Sequence, residues 1–312
     1  MLAIVNVALP IFGLIFVGFF AYRLGVLGDA SSAELNRFVV YLGLPALLFE
    51  SMAKASTLQT LNITYTLAFT AGMAAVFLVT LATRMRSGVL FKDATIDAVA
   101  ASYPNAGFLG IPLCALTFGQ AGIAPAVIAT ILSACILFAV AIILIEVSHQ
   151  PDKRVAQTLR LVGGRLLKNP ILVAPLLGCL VAWSGYPLPQ SLQRFFELLG
   201  AAAGPCALVS IGLFLAAAKL RNLDVKGLGL LVAMKLLVQP GITALLVFVV
   251  FPIPTVWAWS ALLLSALPIG NGPFMLAALF DRDAKLMSHA ILASTLLSLL
   301  TVSIILAWVP TF

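Results

Sequence analysis

Ten long apolar segments separated by short polar connections constrain the fold of this chain more than any other feature of its sequence. The segments cover residues 2–22, 35–53, 61–82, 94–118, 122–147, 170–184, 195–218, 227–251, 256–280 and 287–309. Most reach the roughly 20 residues that a helix needs to cross a bilayer. Lipid offers the backbone no hydrogen-bond partner, and the alternating pattern of a membrane barrel does not occur. The sequence therefore predicts an all-α polytopic membrane protein with ten transmembrane helices.

Composition excludes the ordinary soluble classes of protein. Of the 312 residues, 62% are hydrophobic and 9% are charged, whereas a soluble domain carries about 25% charged residues. The connections are too short to hold a soluble catalytic domain, and neither an HExxH motif nor a pair of intramembrane aspartates occurs. We therefore predict that the chain is not an enzyme, and we expect neither a metal nor a cofactor.

The distribution of basic residues predicts the orientation in the membrane. With ten spans, fourteen Lys and Arg residues fall in the connections on one side, against Lys54 and Arg194 on the other. The positive-inside rule makes the basic side cytoplasmic and puts both termini outside, on the periplasmic side of a bacterial inner membrane. This bias accounts for the net charge of +7, so no nucleic-acid partner is predicted.

The two halves of the chain resemble each other weakly, at an offset of roughly 162 to 166 residues. Five spans precede a polar connection at 148–169 and five follow it, so the predicted repeats are residues 1–147 and 170–312. Because five is odd, the second copy enters the membrane in the reversed orientation, as in inverted-repeat transporters. The connection itself is expected to form a short cytoplasmic surface helix.

Corresponding motifs interrupt the fourth and ninth spans near their middle. The fourth contains Tyr-Pro-Asn-Ala-Gly at 103–107, and the ninth contains Leu-Pro-Ile-Gly-Asn-Gly-Pro at 267–273. Proline lacks a backbone donor and clashes with the preceding turn, so each helix should break there. The second half of each would begin at an asparagine, Asn105 or Asn271, which is a favoured N-cap residue. Simple kinks in both helices are the alternative.

In an inverted arrangement, these two half-helix starts would meet near the midplane from opposite sides. Each carries the equivalent of about half a positive charge and free N–H donors, so their meeting point would attract an anion. Irregular backbone at this depth is tolerated only where protein buries it or water lines it, so the breaks predict a cavity. The expected substrate-binding residues there are Ser102, Pro104, Asn105, Gly107, Gly270, Asn271, Gly272 and Pro273.

Two polar residues of the eighth span extend this predicted site. Lys235 lies inside the span, and Gln239 follows one turn later on the same face. A lysine at helix centre costs about 2.5 to 3.5 kcal/mol on insertion scales, so a functional role is expected. We predict that Lys235 and Gln239 both bind the substrate, with Lys235 complementing a substrate carboxylate. The alternative is that Lys235 snorkels to the cytoplasmic headgroups. Arg37 and Asp97 lie near predicted cytoplasmic boundaries, where solvation or capping accounts for them.

The motifs Pro-Asn-x-Gly at 104–107 and Gly-Asn-Gly-Pro at 270–273 carry a resemblance that covers the whole chain. The sequence resembles the auxin efflux carrier family, which includes plant PIN proteins and compact bacterial carriers such as those assigned to malonate. The resemblance implies two inverted five-helix repeats, a scaffold of helices 1, 2, 6 and 7, and a mobile transport unit of helices 3–5 and 8–10. It also implies an elevator movement, a homodimer and small organic anions as substrates.

Two departures from the plant members of that family bear on the prediction. The connection at 148–169 is short, as in the compact prokaryotic type, and residues 61–82 contain none of the charged side chains that plant carriers place on the third span. We therefore predict a secondary carrier of small organic anions, expected to be carboxylates, with its substrate at the crossover. An anion-conducting channel and an intramembrane enzyme are the alternatives from other functional classes.

Overall fold

The computed structural model describes residues 2–53, 62–149, 170–217 and 224–310. Within these ranges the regular structure is helical, apart from one isolated antiparallel bridge between Pro104 and Ile269. The predicted all-α class is therefore confirmed for the described residues. Most of the predicted cytoplasmic connection at 148–169 lies outside them.

The described residues form twelve helices, several of which contain π-helical turns, and these are numbered in chain order. The first six are α1 (Leu2–Arg23), α2 (Asp29–Phe38, Val39–Gly43 and Leu44–Ala53), α3 (Ile63–Arg86), α4 (Phe91–Ser102), α5 (Ala106–Gly110 and Ile111–Phe118) and α6 (Ile123–Ile131, Leu132–Leu137 and Phe138–His149). The others are α7 (Pro170–Ser184), α8 (Gln190–Ala201 and Ala203–Ala217), α9 (Val225–Val250), α10 (Thr255–Ser265), α11 (Gly272–Leu279) and α12 (Lys285–Trp308).

Five helical stretches in the described part of the chain are long and apolar enough to cross a membrane. They are Ile63–Arg86, Ala106–Ser148, Gln190–Ala217, Val225–Val250 and Lys285–Trp308. The second of these has 43 residues and includes the junction between α5 and α6, where Gly119 has a φ of 60° that L side chains rarely adopt. Shorter apolar helices occur at Phe12–Arg23, Val173–Ser184 and Thr255–Ser265. The chain is thus a multi-pass membrane protein.

Glycines bring two pairs of helices into backbone contact. A Cβ added at Gly212 of α8 would overlap the carbonyl oxygen of Ile15 in α1, and one added at Gly18 of α1 would overlap the carbonyl oxygen of Val209. Gly178 of α7 lies equally close to the carbonyl oxygen of Phe49 in α2. Small residues let membrane helices approach closely where lipid removes the hydrophobic drive for association. These contacts hold α1 on α8 and α2 on α7.

Candidate functional site

The two interrupted segments break at the predicted positions. Helix α4 ends at Ser102 and α5 begins at Ala106, whereas α10 ends at Ser265 and α11 begins at Gly272. Asn105 and Asn271 each immediately precede the helix that follows the break. The alternative of simple kinks is therefore wrong, because non-helical residues separate the two halves of each segment.

The two breaks pair with each other through their backbones. The N–H of Asn105 donates to the carbonyl of Pro268 at 2.9 Å, and the N–H of Gly270 donates to the carbonyl of Tyr103 at 3.1 Å. Ser294 of α12 accepts a hydrogen bond from the N–H of Ile269 at 3.1 Å. Because a buried unpaired backbone group costs free energy, this short two-stranded crossing is what allows the chain to leave the helix here.

Tyr103 explains why glycines stand at two positions of the second break. A Cβ at Gly270 would lie 2.8 Å from Cε1 of Tyr103, and a Cβ at Gly272 would lie 2.6 Å from its Cζ. Both distances are shorter than real Cβ contacts allow, so a side chain at either position would displace the ring. The glycines therefore serve the packing of the crossover.

The amino ends of α5 and α11 keep free donors. In α5 the N–H of Ala106 donates to the carbonyl of Pro104 at 2.8 Å, and the next N–H groups that bond back are those of Leu109 and Gly110, both to the carbonyl of Asn105. The N–H groups of Gly107 and Phe108 lie between these bonds. In α11 the first N–H group that bonds back is that of Met275, which bonds to the carbonyl of Asn271 at 3.2 Å. The side chain of Asn105, which is 6% exposed, makes no capping hydrogen bond to its own helix. Its amide is therefore not committed to the cap that the sequence predicted.

A cavity of about 650 Å³ lies against these two amino ends. Five of the predicted site residues line it, namely Pro104, Asn105, Gly107, Asn271 and Gly272. Helix α2 contributes Asn36, Arg37 and Tyr41 to the lining, α6 contributes Thr130 and Ser133, and α7 contributes Pro170. The volume falls in the range of about 300 to 1,000 Å³ that is typical of small-molecule sites.

The other five predicted site residues lie close to the crossover without lining this cavity. Gly270 and Pro273 belong to the second break and to the first turn of α11, and both are buried. Ser102 is fully buried, and its hydroxyl donates to the carbonyl of Ala98 in its own helix at 2.7 Å. The cavity therefore receives no hydroxyl donor from Ser102.

Lys235 and Gln239 are fully buried in the protein. Nζ of Lys235 donates to the carbonyl of Ser265 at 2.5 Å, and Nε2 of Gln239 donates to the carbonyl of Ser102 at 3.2 Å. The alternative that Lys235 snorkels to the headgroups is wrong, because its ammonium lies against the end of α10. These two side chains contact the crossover from a side that is not part of the cavity lining.

Sequence reasoning missed Arg37 as a cavity residue. Its guanidinium is 73% exposed and approaches the carboxylate of Glu34 at 3.4 Å, and the residue lies on the wall of the cavity. The signal was available, because an Asn-Arg pair inside an apolar segment is unusual enough to suggest a functional role. Thr130 and Ser133 carried no such signal. Their hydroxyls donate to the carbonyls of Ala126 and Ala129 in α6, so they offer the cavity only lone pairs.

The described lining of the cavity is rich in hydrogen-bond donors. The first turns of α5 and α11, the two asparagines and Arg37 lie on the cavity wall, and its described lining residues include no carboxylate. The described residues also contain no group of three His, Cys, Asp or Glu side chains that could hold a metal ion. Helix amino ends favour negative charge through their dipoles and unpaired N–H groups.

Comparison with known proteins identifies the family. The family described as "Membrane transport protein" matches residues 3–306. A protein of Rhizobium meliloti (strain 1021) named "Putative malonate transporter" is 28% identical over 306 residues, which cover 97% of this chain and 95% of that protein. An "Uncharacterized transporter" of Methanothermobacter thermautotrophicus is 28% identical over 94% of each chain, and "Uncharacterized transporter YfdV" of Escherichia coli is 26% identical over 68% of each. The chain therefore belongs to the membrane transport protein family, which is the auxin efflux carrier family that its two helix-break motifs resemble.

Proposed function

We propose that the protein is a secondary carrier of small organic anions, and that these are carboxylates bound at the crossover. The observation that carries the proposal is that both helix breaks present their amino ends to one cavity of about 650 Å³. Two half-helix amino ends supply the equivalent of about one positive charge without any proton transfer. The name of the Rhizobium meliloti relative makes malonate the first substrate to test.

The proposed architecture has ten spans in two inverted repeats, residues 1–147 and 170–312. Ten is the number obtained when α4 with α5, and α10 with α11, are counted as single interrupted spans. The proposed scaffold is α1, α2, α7 and α8, and the close glycine contacts of α1 with α8 and of α2 with α7 support it. The remaining helices would form the transport unit, and two scaffolds would meet in a homodimer.

The proposed movement is an elevator displacement of the transport unit along the scaffold. The cavity supports this division, because α2 supplies one wall while the crossover and α6 supply the others. Its Arg37 and Pro170 lie at the end that the basic connections assign to the cytoplasm, so the conformation described would be open to the inside, with both termini outside. In this state a substrate would enter from the cytoplasm and leave on the opposite side after the displacement.

Export of an anion needs no coupling ion. An anion that leaves a cell with an inside-negative potential gains about 2.3 kcal/mol per charge per 100 mV. Together with the absence of carboxylates among the described residues of the cavity lining, this favours uncoupled export over coupled uptake. The direction is therefore a consequence of the membrane potential and of the charge of the substrate.

Flux measurements in proteoliposomes test the proposed function. Labelled malonate, succinate and acetate are offered to purified protein with an imposed potassium diffusion potential, and in parallel with a proton or a sodium gradient. We expect saturable flux that follows the potential. Carboxylates should compete with one another for transport, and the neutral diamide of malonate should not compete. Absence of flux for every carboxylate would contradict the proposal, and ohmic single-channel currents would support the anion channel instead.

A further inference from the structure

The crossover has a second polar face, which α9 forms opposite the cavity. Lys235 and Gln239 lie one turn apart on this helix, and both are fully buried. Each donates a hydrogen bond to the last carbonyl of a half-helix, Lys235 to Ser265 at the end of α10 and Gln239 to Ser102 at the end of α4. One helix thus caps the carboxyl ends of both interrupted segments.

The two faces of the crossover have opposite electrostatic character. The amino ends of α5 and α11 face the cavity, and each carries the equivalent of about half a positive charge. The carboxyl ends of α4 and α10 carry about half a negative charge each, and together they balance the charge of one monovalent cation. The basic group of Lys235 lies at that point, and no carboxylate among the described residues forms an ion pair with it.

A buried ammonium without a carboxylate partner requires compensation from its surroundings. Peptide dipoles at helix carboxyl ends provide it, as they stabilise cations near the last turn of any helix. Lys235 also lies in the π-helical turn Met234–Val238, which is followed directly by Gln239 and Pro240. Such π-turns are rare and are frequently found at functional sites.

We propose that Lys235 is the built-in cation of this carrier and a positioning residue for its anion site. It neutralises the carboxyl ends of α4 and α10, so the amino ends of α5 and α11 remain the uncompensated charge that faces the substrate. Gln239 is its uncharged counterpart, because it caps the carboxyl end of α4 without adding a charge. Lys235 therefore raises anion affinity through the crossover without touching the substrate, and no cation has to travel with the anion. This inference rests on the proposed function.

The Coulomb interaction predicts how the effect of Lys235 on KM depends on the charge of the substrate. The interaction between Lys235 and a bound anion is proportional to the charge of the anion. If loss of the lysine charge raises the KM of a monocarboxylate about tenfold, the KM of a dicarboxylate should rise about a hundredfold. A residue that only stabilises the fold would change both KM values by the same factor.

Charge and capping can be separated by substitution. Lys235→Gln keeps a donor for the Ser265 carbonyl and removes the charge, Lys235→Arg keeps the charge, and Gln239→Leu removes a cap without changing charge. In proteoliposomes we expect Lys235→Gln to raise KM steeply with substrate charge for acetate and malonate. Lys235→Arg should keep the wild-type ratio of the two KM values. Gln239→Leu should alter Vmax or melting temperature with that ratio unchanged.

The exchange variant Lys235→Gln/Gln239→Lys covers the case in which Lys235→Gln fails to fold. It restores one positive charge against the other carboxyl end, so we expect it to recover the wild-type preference for malonate over acetate. The inference would be overturned if Lys235→Gln raised the KM values of acetate and malonate by the same factor. It would also be overturned if the exchange variant preferred malonate over acetate no more strongly than a variant without a charge at positions 235 and 239. Absence of carboxylate flux in the wild-type protein would instead overturn the proposed function.

Discussion

Asn105 and Asn271 are the polar side chains that both helix breaks contribute to the cavity. Hydrogen bonds to a charged group contribute about 1.5 to 3 kcal/mol, so we expect Asn105→Ala and Asn271→Ala each to lower kcat/KM for malonate by about tenfold to a hundredfold. Melting temperature and elution volume in detergent should stay close to wild type. Flux assays on both variants, at matched protein content in the vesicles, provide the measurement.

Asn62→Ala is the matched control for these two substitutions. Asn62 precedes α3, and its side-chain oxygen accepts a hydrogen bond from the N–H of Tyr65 at 2.9 Å, remote from the cavity lining. Loss of this cap should cost about 1 kcal/mol of stability and leave KM unchanged. If all three variants transport malonate with wild-type kinetics, the asparagines of the breaks do not bind the substrate.

Gly270 tests the packing of the crossover independently of anion binding. An alanine methyl there would lie 2.8 Å from the ring of Tyr103, and such overpacking typically costs about 1 to 3 kcal/mol. We expect Gly270→Ala to lower the melting temperature and Gly270→Ala/Tyr103→Leu to recover part of the loss, because the ring is then gone. Gly241→Ala is the control, since its Cβ would meet nothing within 4 Å. Equal melting temperatures for Gly270→Ala and Gly241→Ala would contradict this account of Tyr103.

At the scale of the helices, the breaks were predictable because their cause is local. Proline and glycine combined with an asparagine cap favour a break, and both breaks occur where Pro104 and Pro268 predict them. The pairing of Pro104 with Ile269 was not predictable, because it joins residues more than 160 positions apart through backbone hydrogen bonds that leave no pattern in the sequence. The π-helical turns likewise have no distinctive sequence pattern.

The environment of the buried charges could not be predicted from the sequence. Asp97, expected to be solvated or capping near the cytoplasmic boundary, is fully buried between two arginines. Its carboxylate lies 2.6 Å from Nε of Arg84 and 2.8 Å from Nη1 of Arg282. The two arginines come from α3 and from the connection between α11 and α12, so only the folded arrangement brings them together. Hydropathy reports how far a residue lies from a helix end, but not which partners enclose it.

The ion pairs of Asp97 connect α3, α4 and the connection that precedes α12. Removal of one partner from a buried ion pair leaves an uncompensated charge and typically costs about 3 to 5 kcal/mol. We therefore expect Asp97→Asn to lower the free energy of unfolding by about 3 kcal/mol or more, measured by denaturation in detergent micelles. Glu197→Gln is the control, because the pair Arg194–Glu197 is 67% and 50% exposed and contributes at most about 1 kcal/mol. Similar losses in the two variants would show that burial of Asp97 does not determine its contribution.

At the scale of the whole molecule, the proposed movement requires α8 of the scaffold to slide past α5 of the transport unit. Gly204 of α8 faces Pro112 of α5, and a Cβ built on the glycine would lie 3.7 Å from Cβ of the proline. This separation falls within the range of about 3.5 to 4.5 Å that a disulfide requires. A cross-link at this point would join the two units in the conformation described.

We expect oxidation of Gly204→Cys/Pro112→Cys to stop malonate flux and reduction to restore it. The background should replace Cys179 and Cys206, which are exposed and half-buried, so that neither competes for the new thiols. Each single-cysteine variant should transport with or without oxidant. Gly200→Cys/Leu47→Cys is a cross-linked control inside the proposed scaffold, where the corresponding Cβ separation is 3.3 Å and a small adjustment permits the bond. A pore through a static protein would conduct with either cross-link in place, so undiminished flux in the fully oxidised Gly204→Cys/Pro112→Cys protein would contradict the elevator movement while leaving the anion site itself intact.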